Sequence, residues 1–169
     1  NSSDRLAGKN SVESAKAAID SSQKERAGHW VIGQLIRAKK NHKGLHRIGH
    51  DASTFARHLS EGATGFPHPS TLFFSESVDS DTAYTGGRKI AEDYALGLDF
   101  LNHWGTPWIS DQPLAVHVPD GLSYHQPVRN AVEKISARAQ LSKGWSPLNE
   151  ARVLVRTVPR SLRERLTGR

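Results

Sequence analysis

A chain of 169 residues with 36% apolar and 24% charged side chains is the size of one domain, and it can bury a core that a disordered chain lacks. The absence of Cys excludes disulfides, thiolate metal centres and a cysteine nucleophile together. Apolar runs are short, such as Thr71-Leu72-Phe73-Phe74, and none nears the roughly 20 residues needed to span a bilayer. A formal charge of +6 and a pI near 9.8 suit an acidic partner as readily as plain solubility.

The chain contains no Met, so it is read as processed out of a longer polypeptide, and its first ten residues are polar, without a secretory apolar stretch. Residues 11–40 are predicted to form two helices. The first runs through Ser11-Val12-Glu13-Ser14-Ala15, and the second is suggested by the stripe Trp30, Ile32, Leu35 and Ile36. Gly44 closes this helical part, residues 1–43, and residues 44–169 form the remainder of a single domain. Leu45 to Ile48 is a short strand candidate. Ser53 is placed to cap a short helix containing Phe55 and Leu59, which Gly62 ends. Thr71 to Ser77 reads as a strand and Arg88 to His103 as a helix, with Ile90, Ala91, Tyr94, Leu98 and Leu101 on one side. Leu114 to Val118 alternates as a strand and stops at Pro119-Asp120-Gly121. Val128 to Leu141 is an amphipathic helix, Glu150 to Val158 a long strand, and Pro159 opens a terminal helix. Helices first and strands concentrated later imply an α+β architecture.

Several chemical signatures are missing: a phosphate-binding GxxxxGK[ST] loop, GxGxxG after a strand, HExxH and GxSxG. Gly86-Gly87-Arg88-Lys89 offers backbone N–H groups to an anion, although a helix boundary explains the glycines equally well. Among nine histidines, His42, His46 and His50 recur every four residues, but Gly44 and Gly49 break the helix that would align them, so no metal site is expected. A histidine ribonuclease could draw its acid and base from His46, His50, His117 and His125.

Three strand-borne elements occur in order: Leu45-His46-Arg47, then Phe74-Ser75-Glu76-Ser77, then Asn149-Glu150 leading into Val153-Leu154-Val155. The set resembles the Arg–Ser–Glu pattern of the ADP-ribosyltransferase superfamily in its bacterial toxin and effector branch. Phe55 to Gly65 is similar to the stretch that follows the Arg in that family. Arg88 to Ala95, carrying Tyr94, is similar to the helix after the Ser motif, and Val153 to Leu166 to the closing strand and helix. The resemblance spans residues 29–166 and rests on short motifs. It implies a split, mixed or antiparallel β-sandwich core with N-terminal helices. It also implies NAD as the substrate, bound by Arg47, His46, Ser75, Ser77 and Tyr94, with Arg47, Ser75 and Glu150 carrying catalysis. The protein would be a monomeric secreted effector acting in a target-cell cytoplasm on a host protein or other acceptor, and an immunity protein is a further possible partner.

The chemistry accounts for these residue types. Loss of nicotinamide from NAD leaves an oxocarbenium-like ribose, as in glycoside cleavage. An Arg can grip the pyrophosphate with two parallel donors where a Lys offers a point charge. A Ser hydroxyl braces the Glu, whose carboxylate holds a ribose hydroxyl and stabilises the developing charge. Arginine-modifying members carry another Glu two residues before the catalytic one. Here Leu148 stands there, so the acceptor implied is not arginine, or is water, or the fold has lost its chemistry. Trp145 lies on the same loop as a candidate substrate-facing aromatic.

Overall fold

The computed structural model describes residues 5–6, 11–24, 29–39, 42–46, 51–74, 87–117, 125–141, 145–148 and 150–151. Among these the chain is α+β. Its helices are α1 (Ser11–Lys24), α2 (Ala52–Ser60), α3 (Glu92–Trp104) and α4 (Pro127–Leu141), and its strands are β1 (Arg5–Leu6), β2 (Trp30–Lys39), β3 (His42–His46), β4 (Thr71–Phe73) and β5 (Trp108–His117). A single 3-10 turn, His68–Ser70, precedes β4.

The described strands form one mixed sheet around β2. On one side β2 runs parallel to β5, and short β1 pairs antiparallel beyond it. On its other edge β2 is shared between two antiparallel strands: β4 lies along Trp30 to Ile32, and β3 along Leu35 to Lys39. The β2–β5 register shifts on either side of Gln34, which faces Pro113. A proline is tolerated at such an irregularity because a ladder hydrogen bond is already interrupted there.

The second helix expected within residues 11–40 is therefore replaced by the central strand, whereas α1 forms as predicted. Strand alternation puts Trp30 and Ile32 in the main core and Val31 on the opposite face, and all three are fully buried. Ala115 belongs to the same core, while its neighbour Leu114 is buried on the other side. That other face is the one covered by α1, which packs on β5 and β2 with Ala18 buried. A strand buried on both faces reads as a continuous apolar run and loses its period-two signature.

The main core joins Trp30, Ile32 and Leu35 of β2 to Phe55 and Leu59 of α2, Tyr94, Leu98 and Phe100 of α3, and Ala137 of α4. The Trp30 ring lies 5.9 Å from Phe100 and 6.1 Å from Phe66, and its indole N–H donates to the Gly105 carbonyl at 3.0 Å. A buried Trp thereby keeps its polar atom satisfied.

Helix boundaries follow local chemistry. The N-cap of α2 is Asp51, not Ser53: the Asp51 carboxylate accepts from the Thr54 N–H at 2.6 Å and from the Ser53 hydroxyl at 2.5 Å. Helix α3 starts at Glu92 rather than Arg88. Ala91, at its N-cap, offers no side-chain acceptor, and Glu133 of α4 supplies one, taking the Ile90 and Ala91 N–H groups at 2.8 and 3.1 Å. A carboxylate there also complements the helix dipole.

Two predictions follow from this packing. A Cβ on Gly97 would press into the Phe66 ring, 2.7 Å from its Cγ. Gly97→Ala should accordingly destabilise the fold by about 1–3 kcal/mol despite the better helix propensity of Ala, as read by denaturant unfolding. The Ser53 hydroxyl and the Thr54 N–H hold the Asp51 carboxyl down at about 2, against an ordinary 3.8. A depressed carboxyl stabilises the folded state fully above pH 3.8, and that contribution fades as pH falls toward 2. Asp51→Asn keeps the acceptor and should flatten the stability profile across this window.

Candidate functional site

Helix α4 turns the stripe Ala131, Lys134, Ile135, Arg138 and Leu141 toward its neighbours, so two of the five positions on an inward-facing stripe are cationic. The Arg138 side chain is only 2% exposed. Its Nε donates to Glu150 Oε1 at 2.6 Å and its Nη2 to Glu150 Oε2 at 2.5 Å, a bidentate pair between planar groups. Its Nη1 donates to the Tyr94 hydroxyl at 3.1 Å, and that hydroxyl donates to the Leu59 carbonyl. Burial opposes the Arg138 charge, but the hydrogen bonds to Glu150 and Tyr94 outweigh it and raise the guanidinium pKa. Burial also raises the Tyr94 phenol, an effect partly offset by the Arg138 hydrogen bond.

Gly62 makes this arrangement possible. It takes a positive φ of 75° just past α2, and a side chain at that position would run into the Arg138 guanidinium. Beside it opens a cavity of about 160 Å³ between the Gly62 turn and α4, lined by Pro127, Asn130, Lys134, Ile135 and Arg138. The Lys134 ammonium sits 5.2 Å above the centre of the Tyr94 ring, and the Arg138 guanidinium carbon 5.6 Å from it. Desolvation, then the Arg138 charge, lowers the Lys134 pKa.

Of the residues expected to form the site, Tyr94 and Glu150 come together here, each hydrogen-bonded to Arg138. Glu150 does not open a strand: residues 150 and 151 are helical, and the Glu150 N–H donates to the Ser146 carbonyl at 3.2 Å. His46 ends β3 opposite Leu35 of β2. Arg47, Ser75 and Ser77 lie outside the described residues, as do Gly86, His50 and residues 152–158, so the expected meeting of Arg47, Ser75 and Glu150 in one cleft falls there too. Trp145 is 39% and Leu148 63% exposed, while Glu150, two positions on, is 7% exposed. Of the ribonuclease candidates, His117 ends β5 opposite Arg37 of β2, two strands across the sheet from β3, and His125 is exposed ahead of α4.

Arg138 and Lys134 are the residues that the sequence reading passed over. The available signal was their place on an inward stripe of α4, where a core-facing helix carries apolar residues. Comparison with protein-family models, with curated proteins and with solved structures finds no match for this chain.

Removing either member of a buried ion pair strands the other charge, whereas replacing both by apolar groups can be neutral or stabilising. Arg138→Met and Glu150→Leu should each cost about 3–5 kcal/mol, and the double variant should regain most of the loss. Denaturant unfolding of the four proteins forms a double-mutant cycle, and additive losses would show that the pair contributes nothing as a pair.

Proposed function

We propose that this chain is an ADP-ribosyltransferase-like domain that binds NAD and cleaves its nicotinamide–ribose bond. The observation that carries this reading is the meeting of Glu150 with Tyr94 at Arg138, across 44 residues of sequence between Tyr94 and Arg138. The order of elements supports it as well: β3 leads to Arg47, β4 leads to Ser75 and Ser77, and α3 follows with Tyr94. The finer fold in this reading is the split β-sandwich of the family.

In this mechanism Arg47 holds the pyrophosphate and Ser75 braces the nicotinamide end. Glu150 grips a ribose hydroxyl and stabilises the oxocarbenium as nicotinamide leaves. Arg138 fixes the carboxylate plane, and each of its oxygens keeps a further lone pair for the ribose. With Leu148 two positions ahead, the acceptor is a residue other than arginine, or water. In this reading the protein is a secreted effector that acts in a target cell on a protein or another acceptor.

A second reading has its own observation. Glu150 is almost wholly buried and both of its oxygens are engaged, as suits a domain of this fold whose carboxylate has only a structural role. Incubation with labelled NAD, alone and with cell lysate, separates the two. The first reading expects saturable binding and nicotinamide release. Glu150→Gln should then lower the release rate by about 100- to 1000-fold while binding changes little, because the lost charge acts mainly in the transition state. Arg47→Ala should weaken NAD binding itself. Wild-type protein that neither binds nor consumes NAD leaves the structural reading and the histidine-nuclease alternative.

A further inference from the structure

We propose that the cavity between the Gly62 turn and α4 is a binding site for a phosphate group, with the Lys134 ammonium as its principal ligand. The inference rests on the cavity alone and is independent of the NAD reading above.

Charge balance is the first argument. Among the described residues, Lys134 and Arg138 bring two positive charges to this corner, and Glu150 returns one negative charge. Glu150 is committed to Arg138 through both oxygens. Lys134 has no hydrogen bond or ion pair among the described residues; its ammonium lies over the Tyr94 ring and near the Arg138 charge. A desolvated ammonium without a counter-charge is costly, and an anion entering the cavity would relieve that cost.

Shape is the second argument. A cavity of about 160 Å³ admits a phosphate group but is small beside the 300 Å³ or more typical of sites that hold whole drug-sized ligands. Asn130 stands one helical turn before Lys134 on the same wall, so its amide can donate beside the ammonium, while Pro127 and Ile135 supply apolar sides. Glycine at 62 keeps this corner open, since a Cβ there would strike the Arg138 guanidinium.

The ligand is either inorganic phosphate or the phosphate of a larger molecule. Isothermal titration with sodium phosphate, and with ribose 5-phosphate in parallel, tests the site at constant ionic strength against sodium chloride. Saturable phosphate binding that chloride does not reproduce is expected, together with a rise in the Lys134 amine pKa on binding, read by NMR. Preference between the two phosphates tells whether the ligand is free or esterified. Lys134→Met keeps the aliphatic stem and should weaken binding at least about tenfold, the scale of one charge-assisted hydrogen bond. Asn130→Ala should weaken it less, which gives a second variant if the first perturbs folding. Absence of saturable phosphate binding to the wild-type protein overturns the proposal, as does equal binding by wild type and both variants.

Discussion

A guanidinium removed from water must have its charge and its five donors answered inside the protein, or the fold cannot keep it there. Arg138 has its charge met by Glu150 and three of its five donors engaged, and the contacts reach three different parts of the chain. Glu150 neutralises it from 12 residues downstream, Tyr94 accepts from it, and through Tyr94 the end of α2 is tied in at the Leu59 carbonyl. Loss of Glu150 leaves the guanidinium without its counter-charge, and loss of the Tyr94 hydroxyl leaves an Arg138 donor and the Leu59 carbonyl unpaired, so α2, α3, α4 and the helical turn at Glu150 are energetically coupled.

Other polar contacts of α4 reinforce this coupling. Glu133 caps α3 through two backbone N–H groups and is itself held by Arg129 at 2.9 Å. Those hydrogen bonds outweigh the desolvation of Glu133 and lower its pKa, so it is a stable anion at the positive end of α3. At the far end, Asn102 donates to the Leu141 carbonyl at 2.5 Å. Helix α3 is thus fastened at both of its ends to α4, at the middle and the last residue of that helix, and the register that aims Arg138 at Tyr94 follows from these contacts.

Much of this architecture was legible in the residues. Helices α2, α3 and α4 announce themselves by period, and β5 by alternation at Leu114 to His117. The strand β2 was not legible as a strand, because Trp30, Val31 and Ile32 are buried on both faces and lack period-two alternation, while Trp30, Ile32, Leu35 and Ile36 mimic a helical stripe. At α2 the sequence reading places the cap at Ser53, and the backbone puts it two residues earlier: Asp51 has the extended φ of −152° that suits an N-cap. The candidate site was legible in part. Glu150 and Tyr94 stood out by position, yet the cation that joins them did not, since an Arg on an amphipathic helix is ordinarily read as solvent-facing.

The parallel pairing of β2 with β5 also bears on how the chain reaches this state. Gln34 and Ser110, joined side chain to carbonyl at 2.8 Å across that pair, are 76 residues apart. Closing so long a loop has an entropic cost that must be met before any of the ladder's hydrogen bonds can form. Local pieces such as the hairpin of β2 and β3, or α3 with its terminal cap, can form early. The sheet's central seam closes late, and topologies dominated by such distant contacts fold slowly. Until then the backbone edge of β2 that β5 will cover stands unpaired and open to pairing with another chain.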